Sequence, residues 1–260
     1  MSLPKSLKRI VIKVGSNVLS DHLSLRKEFF HHMAEQIEFL QKRKIKPILV
    51  SSGAIAAAMT AFKRKTKPKG VPAKQAFAAF GQPLLMDAYM EAFHKKGLRV
   101  AQVLLTSLDV KHRDTVTNAR HAFEELLKKN IVPIVNENDT VVVEEIKFGD
   151  NDILSALVAR LVRADLLLIL SHVDGLYDSN PRKNKKSRTI PIVRRIDQNL
   201  RSHLFFEKNE LSVGGMESKL KAAEKCLRVK IPVFLTNGLK KDYIKRLLTR
   251  QEIEGTYFCP

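Results

Sequence analysis

Short apolar runs alternate with amphipathic stretches along most of the chain. Ile10 to Val14 is β-branched and bounded by polar residues, the pattern of a buried strand. Leu25 to Arg43 carries Phe29, Met33, Ile37 and Leu40 at helical spacing, and Pro47 to Val50 follows as a second strand. Ala54 to Phe62 predicts a helix, and Ala73 to Lys95 a long one in which Pro83 marks a kink or restart. Further on, Arg99 to Leu105, Ile131 to Val135, Asp165 to Leu170 and Ile231 to Leu235 read as strands. Thr115 to Lys129, Asn151 to Arg163, Glu217 to Arg228 and Asp242 to Thr249 read as helices, and the β-rich Thr140 to Phe148 as a hairpin. Strand and helix alternating in this way specify an α/β/α sandwich with a mainly parallel central sheet covered on both faces. No repeat, low-complexity tract or linker divides the 260 residues, so residues 1–260 are expected to form a single domain.

Composition narrows the class without naming it. No apolar run, that of Leu166 to Leu170 included, approaches the ~18 residues that a membrane-spanning helix needs. The N-terminal stretch lacks the long apolar core of a secretory signal. Cys226 and Cys259 cannot build a disulfide framework or a four-ligand zinc site, and they suit a reducing cytoplasm. The formal charge of +19 is the unusual quantity. It suits a polyanionic ligand or a nucleic acid. Its denser spots, Lys63 to Lys69 and Arg182 to Arg188, fall in apparent loops, the second the expected mobile segment. Neither has the interleaved aromatics that single-strand stacking wants, so nucleic acid is not the expected principal partner.

In a parallel α/β sheet, ligands bind beyond the carboxyl ends of the strands. There the chain places Lys13 with Gly15, Ser52 with Gly53, Asn136 to Asp139, Asn151 with Asp152, Ser171 with His172, and Gly214, Gly215 and Met216 ahead of Lys219. Glycines let a ligand approach the backbone, helix N-termini favour anions, and lysines supply point charges to phosphate oxygens. Asp and Asn clusters can hold an amine, orient lysines or bind Mg²⁺. The set describes a site for a phosphorylated ligand and a small polar molecule. The P-loop, dinucleotide, zinc-protease and nucleophile-elbow motifs are all absent.

The order IKVGSNVL, VSSGAIAAAM, KQAFAAFGQ, NENDTV, FGDND, ADLLLIL with DGLY, and GGMESKLKAA resembles the glutamate 5-kinases, a branch of the amino acid kinase family. The resemblance runs from about Lys8 to the C-terminus. It implies an open α/β/α sandwich that uses ATP and Mg²⁺ to phosphorylate the side-chain carboxylate of L-glutamate, the first step of proline biosynthesis. By the same resemblance, Lys13 and Lys219 contact the ATP phosphates and Asp152 holds both lysines. Ser52, Asp139 and Asn151 match glutamate-binding positions, with Asp139 facing the ammonium. Gly15 and Gly53 would admit phosphoryl oxygens to backbone N–H groups. Ser171, His172, Gly214, Gly215 and Met216 match nucleotide-binding positions. No protein ligand for Mg²⁺ is assigned. Proline as feedback inhibitor, a homo-oligomer (dimer or tetramer), a glutamyl phosphate reductase as pathway partner and a cytoplasmic location are also implied.

Three departures from the family pattern stand out. His172 replaces an acidic residue after the Leu-rich strand. Ser212-Val213 replaces Gly-Thr before the Gly-Gly-Met run. The chain also leaves no room for the C-terminal PUA domain of many members, so none is expected. Two other readings remain open at this stage. One is a kinase of the same fold acting on carbamate or N-acetylglutamate, against which the acidic Asp139 argues. The other is a nucleic-acid binder on a kinase scaffold, motivated by the charge and by His172.

Overall fold

A computed structural model describes residues 6–21, 24–106, 109, 112–141, 151–179, 181, 184–203, 215–249 and 254–259. Among the described residues, eight strands form one sheet: β1 (Arg9–Val14), β2 (Lys46–Val50), β3 (Arg99–Leu105), β4 (Ile131–Glu137), β5 (Leu166–Ser171), β6 (Ile192–Val193), β7 (Val233–Asn237) and β8 (Thr256–Phe258). Their order across the sheet is β3-β4-β2-β1-β5-β7-β8-β6. The pairs from β3 to β7 are parallel, and β8 runs antiparallel to β7.

The helices are α1 (Ser16–Leu19), α2 (Lys27–Lys42), α3 (Ala54–Ala61), α4 (Val71–His94), α5 (Arg113–Lys128), α6 (Asn151–Leu161), α7 (Gln198–His203), α8 (Met216–Leu227) and α9 (Tyr243–Leu248). They cover both faces because successive strand residues point to opposite sides. Ile10, Ile12 and Val14 of β1, with Leu166, Leu168 and Leu170 of β5, pack under α2, α4 and α9. Val11, Leu167 and Ile169 face the other way, into the side chains of α5, α6 and α8. Lys13 shares the parity of Val11, so the pleat sends it toward α6 and α8.

The expected α/β/α sandwich is what the chain forms, and the main elements fall within a few residues of their expected bounds. Most of the expected hairpin at Thr140 to Phe148 lies outside the described residues, as do Arg182 and Lys183 of the second basic stretch. Pro83 does not interrupt its helix: α4 runs unbroken through it from Val71 to His94. β4 extends past Val135, so Asn136 and Glu137 are buried strand residues, not the start of a loop.

One helix contact sets the height of the β2–α3 turn. α3 lies on α4 where both present small residues, among them Ala54, Ala57, Ala58 and Ala78. A Cβ on Gly81 would stand 1.8 Å from the Ala54 carbonyl oxygen and 2.8 Å from the Ala58 nitrogen. Both are backbone atoms, so relief requires the helices to move apart. Gly81→Ala is therefore expected to destabilise the protein by about 3 kcal/mol, the upper part of the overpacking range. A thermal melt should register this as a Tm lower by roughly 6–12 °C.

Candidate active site

The chain leaves β1 in one direction to build β2, β4 and β3, and later returns to place β5 and β7 on the opposite side of β1. The carboxyl ends of β1 and β5 are thus a topological switch point, where the following loops diverge and leave a crevice. Lys13 is on β1 one residue before its end, and Ser171 ends β5 beside it. Ser51 to Gly53 follow β2, and Asp139 follows β4.

At the floor of this crevice one carboxylate holds two ammonium groups. Asp152, in the first turn of α6, is fully buried. Its Oδ1 forms an ion pair with Lys13 Nζ, and its Oδ2 lies 2.9 Å from Lys219 Nζ. Lys13 is 4% exposed and Lys219 8%, so all three charges are largely withdrawn from bulk water. Burial alone would raise the Asp152 carboxyl; Lys13 and then Lys219 outweigh it and hold it well below the usual carboxylate range. Ser218 Oγ stands 2.8 Å from Asp152 Oδ2 and also 2.8 Å from the Gly215 carbonyl oxygen, and its single proton serves one of them at a time. The cluster carries a net charge of +1 and suits an anion that arrives with its own negative charges.

The glycines around it serve different ends. Gly53 has φ +107°, a left-handed conformation that side chains resist, and it caps α3. The Gly15 N–H donates to the Leu170 carbonyl at 3.1 Å, so this group is already engaged. What Gly15 offers is the missing Cβ, which would press to 3.2 Å on that same oxygen and lie 3.9 Å from Lys13 Nζ. Gly215 caps α8, and Met216 is its first residue. Gly214, Ser212 and Val213 lie outside the described residues.

On the β2–β4 side, Asn151 Nδ2 donates to Ser52 Oγ at 2.9 Å and to Asn136 Oδ1 at 3.0 Å. Ser51, wholly buried beneath this turn, shares a 2.9 Å hydrogen bond with the Tyr89 hydroxyl of α4. Asp139 sits half-buried beyond β4, and that burial pushes its carboxyl up to about 6. On the β5 side, Ser171 is buried and its carbonyl accepts the Gly238 N–H at 2.9 Å, while His172 is exposed.

The structure thus joins Lys13, Asp152 and Lys219 directly, and joins Ser52 to Asn151. It places Asp139 just past the end of β4, and Ser171 and His172 at the end of β5, on the same carboxyl edge of the sheet. Asn136, Ser51 and Tyr89 carried no assigned role from the sequence. Each is a polar residue inside or just behind a run already singled out, and only the pairing across elements reveals it. No cluster of three His, Cys, Asp or Glu side chains able to hold a metal occurs among the described residues.

Known proteins resemble this chain in sequence and in fold. The sequence model of the amino acid kinase family matches residues 8–237. A protein of Clostridium acetobutylicum named glutamate 5-kinase is 44% identical over 257 residues, covering 98% of this chain and 96% of that protein. A glutamate 5-kinase of Thermus thermophilus is 47% identical over 253 residues, covering 97% of this chain and 68% of its own length. Among solved structures, the UMP kinase of Ureaplasma parvum superposes with a TM-score of 0.65 at 18% identity, covering 98% of this chain and 100% of that one. An isopentenyl phosphate kinase gives the same TM-score at 15% identity, covering 96% and 99%. At those identities the two structures speak to the fold alone. The family match and the close relatives together place the chain in the amino acid kinase family, in the branch formed by the glutamate 5-kinases.

Proposed function

We propose that this protein transfers the γ-phosphoryl group of ATP to the side-chain carboxylate of L-glutamate, giving L-glutamyl 5-phosphate and ADP. The observation that carries the reading is the buried Lys13–Asp152–Lys219 cluster at the switch point. A carboxylate is ionised at neutral pH, so the attacking oxygen needs no general base. That oxygen forms a bond to the γ-phosphorus as the bond from phosphorus to the β,γ-bridging oxygen breaks, and ADP leaves with the electron pair. Such a transfer asks for positioning and for neutralisation of spread-out negative charge. Two lysines held by one carboxylate supply both. Asp152 keeps the two lysine side chains in place; Lys13 and Lys219 meet the phosphoryl oxygens.

The crevice divides between the two substrates. Ser52, Asn151 and Asp139, on the β2–β4 side, are assigned to glutamate, with Asp139 on its ammonium. Ser171, His172, Gly214, Gly215, Met216 and Lys219, on the β5–α8 side, are assigned to ATP, with Gly15 and Gly53 giving its phosphates close access to the backbone. Mg²⁺ fits as an ion carried by phosphate oxygens and water, where it would neutralise charge on the nucleotide; the two ammonium groups of the cluster have no lone pair to offer a metal, and the carboxylate already bridges them.

The reading includes proline as a competitor at the glutamate side, since its ammonium and carboxylate ask for the same partners. It also includes residues 1–260 as one kinase domain, a cytoplasmic setting, and consumption of the labile acyl phosphate by a glutamyl phosphate reductase. No described helix is long and apolar enough to cross a membrane. A homo-oligomer is part of the proposal too; Phe62, Phe80 and Leu84, exposed side chains of α3's C-terminal end and α4, form the face we assign to it.

ATP-dependent glutamyl hydroxamate formation, with aspartate and N-acetylglutamate as controls, tests the reading. Product from glutamate alone is expected; product from N-acetylglutamate instead would overturn the acceptor assignment. Lys13→Ala and Lys219→Ala should each lower kcat by about 10²–10³-fold, as removal of one charge-stabilising group does. Asp152→Asn should cost about 3–5 kcal/mol of stability, because it leaves buried ammonium groups without their counter-charge. The glutamate KM should climb as pH falls below about 6, where Asp139 takes up a proton and can no longer pair with the ammonium. Asp139→Asn should abolish that rise, and a flat wild-type profile between pH 5 and 7 would refute the pairing. Added proline should raise the glutamate KM and leave kcat unchanged.

A further inference from the structure

Behind the Asn151–Ser52 pair runs a chain of side-chain amides that reaches the edge of the sheet. Asn136 Nδ2 donates to Gln82 Oε1 at 2.8 Å, and Gln82 Nε2 donates to Gln102 Oε1 at 2.8 Å. Gln82 is a buried polar residue on α4, next to Pro83, in a stretch otherwise rich in apolar side chains. It lies two hydrogen bonds away from Asn151 and is not placed in the crevice.

The direction of this chain does not depend on which way each amide is drawn. The backbone N–H of Glu137 can only donate, and it points at Asn136 Oδ1 at 2.9 Å. Asn136 must therefore turn its Nδ2 toward Gln82. Gln82 must present its oxygen to Asn136 and its nitrogen to Gln102. On the other side, Asn136 Oδ1 demands a donor, so Asn151 faces it with Nδ2. The second N–H of Asn151 goes to Ser52 Oγ. Asn151 Oδ1 is then left as a buried acceptor that takes no hydrogen bond among the described residues. Ser52, already an acceptor, keeps its own hydroxyl proton to give.

We infer that Gln82 is a positioning residue for the acid-binding pocket: through Asn136 it sets Asn151 to accept from a substrate ammonium, leaving Ser52 to donate to a substrate carboxylate. The inference rests on the glutamate reading of the pocket and adds to it the source of its polarity. If Gln82 loses its acceptor, Asn136 Nδ2 becomes a buried donor without a partner, and the Glu137 N–H is left to hold the amide from one side. An Asn136 amide held from one side can tilt to find a partner for its Nδ2, and its oxygen then loses its aim on Asn151.

The test compares wild type, Gln82→Met and Gln82→Glu by KM for L-glutamate, KM for ATP, and turnover of glutarate, the same diacid without the amino group. Met keeps the size of Gln and removes the acceptor. Its glutamate KM should rise about tenfold, the scale of a misaimed hydrogen bond to a charged group. Its ATP KM should stay at the wild-type value, and its preference for glutamate over glutarate should narrow. Glu keeps an oxygen toward Asn136, and the exposed Gln102 can rotate its amide to donate to the other; glutamate KM should return to within about threefold of wild type, since the bond to Asn136 is retained. A Met variant with the wild-type glutamate KM would overturn the inference, as would glutamate and ATP KM rising together, the mark of general loosening. If the Met variant does not fold, the Glu variant decides, and a tenfold rise there counts against it. An inactive wild type would end the glutamate reading as well, whereas an active wild type with an indifferent Met variant ends only this inference.

Discussion

One fully buried carboxylate with two ammonium groups organises the carboxyl edge of this protein. Asp152 belongs to α6, Lys13 to β1 and Lys219 to α8. The attraction therefore ties the central strand to two of the helices that cover one face of the sheet. Its strength depends on the same burial that makes it hazardous. Each charge taken out of water costs several kcal/mol, and only the partners in place offset that cost. The arrangement leaves one positive charge unmatched at the floor of the crevice, which a polyphosphate can neutralise. The contacts that tie these elements together and the net positive charge of the site thus belong to the same three side chains.

Much of this was legible along the chain. The apolar runs of β1 and β5 alternate between faces yet are apolar on both, so they could only be interior strands of a parallel sheet. Periodicity was also enough for α2, α5, α6 and α8. The four elements that escaped, α1, β6, α7 and β8, span 4, 2, 6 and 3 residues. Segments that short complete too few periods for a pattern to register. The length of α4 was readable, but its continuity through Pro83 was not. Local rules count the missing N–H and the ring clash, and cannot count the packing against α3 that holds the helix straight on its way.

The site was legible in a different manner. Lys13, Asp152 and Lys219 are far apart in sequence, and nothing in their local surroundings says that they meet. Their recovery depended on the ordered motifs that resemble a known family and on the rule that strand ends carry ligands. Asn136 was visible as part of a polar run and misread as loop. A strand that continues into polar residues looks, along the chain, like a strand that has stopped. Gln82 announced itself only as a polar residue in an apolar helix, a signal whose meaning depends on what stands opposite. Hydrogen-bond direction is a property of pairs, and a single chain of letters does not state pairs.

The dependence of the pocket on α4 has a consequence for redesign. Three separate contacts run from this helix to the acid side of the crevice: Gly81 against Ala54, Tyr89 to Ser51, and Gln82 to Asn136. A library that varies only Ser52, Asn151 and Asp139 would change the residues proposed to meet the acid while leaving the hydrogen bonds behind them. Variants able to accept a new acid should then be scarce, and many apparent failures would be misoriented amides in an otherwise suitable cavity. Including the inner face of α4 in the search enlarges it by few positions and opens the arrangements in which donors and acceptors are reversed. The heritable unit of specificity here is the pocket together with the helix that underlies it.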